Sequence, residues 1–418
     1  MIKKLERSLI VLLLIMAGLF RLHTAAIVPI LPDEQELIDF IKNISWDWNN
    51  LQLPVGDHDL QNPILAAYTI KLGTVLLGEN RIGIRILFVV LGTVSLFFIF
   101  KLTEENLDIK TAFLALYLLA FSQYHIAVTR FAFENTLLFF FIPPALYTFF
   151  RGLQTQKAKY AILTAILIGL GCLSYEPMAL FALTLLFYVA SDRRHRLWLK
   201  SRSFYFSLLI MMLIVSPFFI WSCENQFSKI GSEHVFDAGF SLRSLYLYFA
   251  ELLPLINEHL RVFRWDIHNE SIFFIAPDDK FIYLSALSSE APVIHWPLAV
   301  LIWTGFFYHL KQKNKPELIK FSLFMFGFVF LATSVIAGAY SLFDDHWWAG
   351  MTVFPGVILC SHMLIGIFKK YPSFKFVIAS WIVYFFIHSA YFIKLPKSQF
   401  AIPLKEFRED GPNGPNKS

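Results

Sequence analysis

Residues 8–29 read SLIVLLLIMAGLFRLHTAAIVP, with Lys3, Lys4 and Arg7 before them and Asp33, Glu34 and Glu36 after them. A run of about twenty mostly apolar residues is the length that crosses a hydrocarbon core of roughly 30 Å. The basic flank marks the cytoplasmic end, because Lys and Arg are retained on that side. The stretch therefore predicts a first transmembrane helix, with the N-terminus in the cytoplasm and the chain emerging outside. No small-residue cleavage site follows it, so it is expected to stay in the mature protein.

The same kind of run recurs along the chain, at Ile82–Lys101, Thr111–Thr129, Asn135–Phe150, Tyr160–Ser174, Met178–Ala190, Phe204–Trp221, Val293–Leu310, Leu318–Tyr340, Trp348–Phe368 and Phe374–Ile393. Of 418 residues, 56% are hydrophobic and 16% charged, and mean hydropathy is +0.57. A soluble domain carries about 25% charged residues, so a soluble fold is excluded. The expected fold class is all-α integral membrane, with about eleven spans in one polytopic domain over residues 1–394. Cys172 and Cys360 lie inside spans and Cys223 at a span end, which makes no disulfide framework.

Pro63–Gly78 is apolar but short, with Lys71 in its middle, and charge decides whether it crosses. If it does not, alternate loops separate by sign. One set holds Arg151/Lys157/Lys159, Arg193/Arg194/Arg196/Lys200/Arg202, Lys311/Lys313/Lys315/Lys320 and Lys369/Lys370/Lys375. The other is acidic and holds the first loop (31–81), a long loop (223–292) and Asp344/Asp345. The positive-inside rule then makes Pro63–Gly78 an outer interfacial helix and leaves the tail, residues 395–418, outside. The expected location is the plasma (inner) membrane. The net charge of +5 is anchoring charge, and no basic patch interleaved with aromatics suggests a nucleic-acid partner. No internal repeat supports a transporter of the inverted-repeat kind.

The non-membrane residues are concentrated outside, so the chemistry is sought there. Asp33 and Glu34 open the first outer loop, where Leu37, Ile38 and Ile41 suggest a short interfacial helix. Pro-Asp-Glu also simply starts a helix; a carboxylate at the membrane–water boundary is the functional alternative. Arg130 and Glu134 sit between the third and fourth spans, four residues apart, as in a one-turn ion pair. Ionisable residues among Phe131 and Phe133 at a membrane edge favour a cavity or a charged ligand. Tyr175, Glu176, His268 and His346 are weaker outer candidates. Asp344 and Asp345 beside His346 have the chemistry for a divalent cation, and no cofactor is otherwise implied. Arg21 and His23, towards the outer end of the first span, are expected to snorkel to its edge.

These pieces, in this order, resemble the polytopic GT-C glycosyltransferases, which include protein O-mannosyltransferases and the bacterial transferases that move aminoarabinose to lipid A. Asp33-Glu34 resembles their acidic pair outside the first span. His58-Asp59-Leu60-Gln61-Asn62-Pro63-Ile64-Leu65 is similar to an "H-x-P-P-L" run. Gly78 to Arg85 resembles an "F-G-x-x-x-x-A-L-R" segment opening the second span. Arg130 to Glu134 resembles "S-R-x-x-x-x-D", with Glu for Asp and spacing one residue different. Gly169 to Pro177 is similar to a "G-L-x-x-x-T-Y/K" turn. The likeness is good over Ser8–Ala190 and looser beyond, at Asn257–Pro292 and His346–Pro355. Asn62 stands where the aminoarabinose enzymes carry Lys, Ile64 where they carry a second Pro, and no Arg lies near His346. No large outer C-terminal domain is expected after the last span.

The resemblance implies sugar transfer from a polyprenyl-phosphate donor to an acceptor hydroxyl on a glycan, lipid or protein, with inversion. It implies Asp33 as general base and Glu34 as its orienting or acceptor-binding neighbour. Arg130 would be the phosphate partner, supported by Arg81 and Arg85. His58, Glu134, Tyr175, Glu176, His268 and His346 would line the substrates. The competing class is a lipid or polysaccharide transporter, or a non-catalytic subunit of an envelope complex.

Overall fold

The computed structural model describes residues 2–27, 32–42, 65–134, 136–175, 178–224, 295–336 and 351–374, and singly 30, 376, 379, 380, 383 and 386. Among the described residues every regular element is a helix. In chain order these are α1 (Ile2–Ile27), α2 (Pro32–Lys42), α3 (Leu65–Leu77), α4 (Arg81–Asn106), α5 (Ile109–Ala120), α6 (Gln123–Thr129), α7 (Thr136–Thr155), α8 (Ala158–Cys172), α9 (Met178–Ser191), α10 (Arg202–Glu224), α11 (His295–Leu310), α12 (Glu317–Ile336) and α13 (Val353–Lys370). By length and composition α4, α7, α10, α13 and Ser8–Ile27 of α1 are each able to cross a membrane. The long loop and the tail expected outside lie beyond the described residues.

α4 packs against α1, α3, α5 and α7, and α8 lies between α7 and α10. Phe88, Phe100, Phe121, Phe139 and Phe150 are fully enclosed there. By contrast, Tyr205, Phe206, Leu209, Met212, Leu213, Phe219 and Ile220 of α10 are exposed. An apolar helix with an apolar outer surface is what lipid contact requires, since nothing in a bilayer core rewards a polar face. The Phe386 ring, in the last expected span, lies 5.2 Å from that of Phe121 and 6.2 Å from that of Phe20.

α3 does not cross. It has thirteen residues, about 20 Å at 1.5 Å each, and both of its ends lie on one face. The N–H of Leu65 donates to the carbonyl of Leu173, in the turn after α8, at 3.2 Å. At the other end Gly78, at φ +84°, closes the helix with its N–H on Thr74 O. Asn80 then caps α4, accepting from the N–H groups of Ile82 and Gly83. Alternate crossings by α4, α5–α6, α7 and α8 put the start of α4 and the end of α8 on the same side. The turn is tight enough to require glycine. A Cβ at Gly73 would meet Gly83 O at 2.3 Å, and one at Gly83 would meet Gly78 O at 2.0 Å.

Two expectations fail inside the bundle. Thr111–Thr129 is not one continuous span: α5 ends at Ala120, and Ser122 starts α6 by accepting from His125 N. Arg21 does not snorkel outwards. Its side chain is fully buried and turned to that break, where it donates to the carbonyls of Ala120 and Leu119 at 3.1 and 3.4 Å. A broken helix strands carbonyls that lipid cannot satisfy, and a guanidinium is the side chain with enough donors to satisfy several at once. His23, two residues on, is exposed.

Candidate active site

α2 lies against the bundle through Leu37 and Ile41, while Asp39 and Lys42 face outwards. Lys71 of α3 donates to Ile41 O at 3.2 Å and so closes the last turn of α2. Burial raises the Asp39 carboxyl, but its hydrogen bonds to Lys42 and Gln35 outweigh that and hold it below its ordinary value.

The third residue of α2 organises the site. Glu34 is fully buried, and its carboxylate forms a forked pair with Arg85 of α4. Arg85 Nε donates to Oε1 at 2.7 Å, and Nη2 pairs with Oε2. Oε1 also accepts the N–H of Ala132 at 2.9 Å, and Arg85 Nη1 donates to Ala25 O near the end of α1 at 2.7 Å. One ion pair therefore ties α1, α2, α4 and residues 130–134 together. Charge-assisted, bidentate bonds of this kind fix geometry as well as charge. Asp33 is the residue before Glu34 in α2. Arg130 is two residues from Ala132.

Arg130 and Glu134 are not a one-turn helical pair. α6 stops at Thr129 and α7 starts at Thr136, so residues 131–134 are not helical. The reason is that this segment spends its groups elsewhere. Ala132 N–H goes to Glu34, and Phe131 and Phe133 turn inwards and stack with centroids 5.6 Å apart. The guanidiniums of Arg130 and Arg85 both lie over the Phe131 ring, 4.8 and 5.4 Å from its centre. Arg130 is 3% exposed, enough desolvation to make its charge count.

Of the other expected residues, Arg81 is the first of α4, on this same face. Tyr175 stands in the α8–α9 turn, two residues from the carbonyl that receives Leu65. His58, Glu176, His268, His346, Asp344 and Asp345 lie outside the described residues. What sequence reasoning missed is Arg21 and His125, which hydrogen-bond to each other at 2.8 Å. The signal was available: an arginine inside a span is a functional candidate by default, and Arg21 was read as an edge residue.

The opposite face carries a second cluster. Asp192, His195 and Glu317 each bring a ligand atom within 4.8 Å of the others. Arg194 donates to Asp192 at 2.8 Å and to Glu317 at 3.2 Å, so a guanidinium already stands between the carboxylates. The Arg194 bonds lower the Asp192 carboxyl to about 2. Burial raises that of Glu317, but hydrogen bonds from Tyr188 and His195 bring it below its usual value.

Known proteins share this helical architecture. Residues 61–221 match the family model described as dolichyl-phosphate-mannose-protein mannosyltransferase. By sequence, no curated protein matches the chain. Among solved structures, the Archaeoglobus fulgidus oligosaccharyltransferase with Zn and sulfate is 14% identical with a TM-score of 0.56, over 96% of this chain and 56% of that one. The same organism's AglB, in complex with an inhibitory peptide and a dolichol-phosphate, is 16% identical with a TM-score of 0.53, over 98% and 59%. ArnT from Cupriavidus metallidurans bound to undecaprenyl phosphate is 15% identical with a TM-score of 0.47, over 87% and 79%. The chain thus spans a little over half of the oligosaccharyltransferase. At these identities the likeness is one of architecture, and it agrees with the helical order and with the family match over residues 61–221: the chain is a polytopic membrane protein of the GT-C fold.

Proposed function

We propose that the protein is a membrane glycosyltransferase that moves a sugar from a polyprenyl-phosphate donor to an acceptor hydroxyl, at the outer face of the plasma membrane, with inversion. The observation that carries this reading is the Glu34 carboxylate, which joins the helix bearing Asp33 to the segment bearing Arg130. A base and a cation held on one frame are what such a transfer needs. The matched family is described by a dolichyl-phosphate sugar, and a structural neighbour of the same fold holds a dolichol-phosphate. Both favour a polyprenyl-phosphate donor.

In this reading the acceptor oxygen attacks the anomeric carbon as its proton passes to Asp33. The bond from that carbon to the phosphate oxygen breaks, and the phosphate leaves with the electron pair. Arg130 stabilises the charge that grows there. Glu34 is already engaged by three donors, which suits positioning better than contact with the acceptor. The acceptor is a hydroxyl on a glycan, a lipid or a protein. The N-terminus faces the cytoplasm, because the basic loops then lie inside.

The second reading, a lipid or polysaccharide transporter or a non-catalytic subunit, draws on Arg21 and the α5–α6 break, since transporters place polar groups and broken helices inside the bundle. One experiment separates the two. Purified protein is given a polyprenyl-phosphate sugar and acceptor lipids, glycans or peptides, and released polyprenyl phosphate is counted. The wild type should turn over, and Asp33→Asn should lose at least about a hundredfold, as expected for a lost general base. Arg130→Gln should be nearly inactive and Arg130→Lys weaker in donor binding, because Lys offers a single point charge. Turnover of Asp33→Asn within a few-fold of wild type would remove this mechanism.

A further inference from the structure

Arg21 and His125 form a polar pair inside the bundle that the proposed mechanism does not use. Arg21 places all five of its N–H groups. Nε donates to Thr129 Oγ1 at 2.9 Å, Nη1 to Ala17 O and Ala120 O, and Nη2 to Leu119 O and His125 Nδ1. Thr129 in turn donates to His125 O at 2.6 Å. A guanidinium only donates, so His125 Nδ1 accepts and the imidazole proton sits on Nε2. That ring is fully buried, and among the described residues Nε2 has no hydrogen-bond partner. Among the described residues its ring neighbours are Phe139, three residues into α7, and Phe354, the second residue of α13, each edge-on at 5.9 Å. Both helices begin on the Glu34 face, so His125 lies about one turn beneath the site, at the near end of the segment that carries Arg130.

A buried N–H without an acceptor costs stability, and such groups are rare enough in folded proteins to need an explanation. The residue chemistry says what kind of acceptor would relieve it. A neutral imidazole backed at 2.8 Å by a guanidinium is a polarised donor in a positive field, which suits an anionic oxygen over a neutral hydroxyl. The two phenyl rings leave an apolar wall around it, as suits a ligand whose remainder is hydrocarbon.

We propose that His125 is a further ligand-binding residue, whose Nε2–H donates to a phosphate oxygen, and that Arg21 is a positioning residue that fixes the tautomer. The phosphate is that of a polyprenyl-phosphate lipid or a free phosphate anion, and the experiment distinguishes them. The inference rests on the proposed function and names a second phosphate contact beside Arg130.

The test is nitrogen NMR of the full-length wild type labelled with ¹⁵N at histidine, in detergent, with the His125 signals assigned through their loss in His125→Phe. Before addition, His125 should show the neutral Nε2–H form. Undecaprenyl phosphate should shift its Nε2 signal while the proton stays in place. His125→Phe should bind that lipid about tenfold more weakly, the loss of one hydrogen bond to a charged group. A shift with the lipid but not with equimolar inorganic phosphate supports the lipid source; an equal shift with both supports a free-anion site. If the wild type binds the lipid and the His125 signals do not move, this inference is overturned while the glycosyltransferase reading stands. If the wild type binds no polyprenyl phosphate and His125 responds to neither ligand, both fall together. The titration needs only wild-type protein, so a poorly folding variant does not block it. A structural role as Arg21's acceptor alone would leave the spectrum unchanged by ligand.

Discussion

The molecule ties its helices with ion pairs at both faces, and the two sets are built differently. On one face Glu34 and Arg85 are wholly buried, forked, and bonded also to the backbone at Ala132 and Ala25. On the other, Arg194 reaches Asp192 and Glu317 while 65% of its side chain remains exposed. The Coulombic partners are alike; the surroundings are not. A buried charge has no water to fall back on, so its pair must be nearly complete to be tolerated, and a complete pair is rigid. An exposed one exchanges its partner for water at little cost. The buried frame is therefore suited to holding reacting groups in register, and the exposed clasp to joining α9 and α12 loosely.

The largest effect should come from breaking half of the buried frame. Glu34→Gln strands the Arg85 guanidinium and should cost about 3–5 kcal/mol, seen as a fall in the thermal midpoint in detergent, with activity lost. Glu34→Gln with Arg85→Met removes both charges and should recover much of the stability but none of the turnover. A single variant as stable as wild type would erase the distinction between the two faces.

Next in size is Gly92→Ala in α4. A Cβ there would lie 2.4 Å from that of Thr129, which accepts from Arg21. The overpacking should cost about 1–3 kcal/mol and displace α6, so donor binding should weaken with it. If binding is unchanged, the α5–α6 break does not help to set the site.

The smallest effects belong to the exposed clasp. Glu317→Gln should cost less than about 1 kcal/mol, with the difference from wild type shrinking in high salt. The clasp should also be acid-sensitive in a defined direction. Asp192, at about 2, and Glu317 both titrate lower in the folded protein than when free. Their stabilisation is then full above the ordinary carboxylate value, near 4, and fades as pH falls towards about 2 for Asp192. A thermal midpoint for Glu317→Gln that follows wild type equally at neutral and acid pH would show that the clasp contributes nothing.

Much of this architecture is written in the sequence, and the omissions have a physical cause. Hydropathy locates spans because lipid forces each one to be apolar and helical. Asp33, Glu34 and Arg130 stand out in the sequence as ionisable residues at a membrane edge, and Arg85 only through the family resemblance. Their partnerships do not. Glu34 meets Arg85 across 51 residues and Ala132 across 98, and no local spacing encodes such pairings. The same holds for the α5–α6 break: Phe121-Ser122 looks unremarkable within a run of apolar residues, and the helix end there is made by the Ser122 cap together with Arg21, which arrives from another span to donate to the carbonyls of Leu119 and Ala120.

That arrival has a bearing on biogenesis. Arg21 leaves the ribosome roughly a hundred residues before Leu119, Ala120, His125 and Thr129, its partners across the bundle. At about 5–20 residues per second of synthesis, α1 waits some 5–20 s with a guanidinium that costs about 2.5–3.5 kcal/mol to insert near a helix centre. Twelve-residue α5 is in turn about 18 Å long, too short to be left alone in lipid. The first helix and the broken one each need the other, so α1 must stay near the insertion machinery until α5 and α6 emerge and the two can be released into the bilayer as a unit.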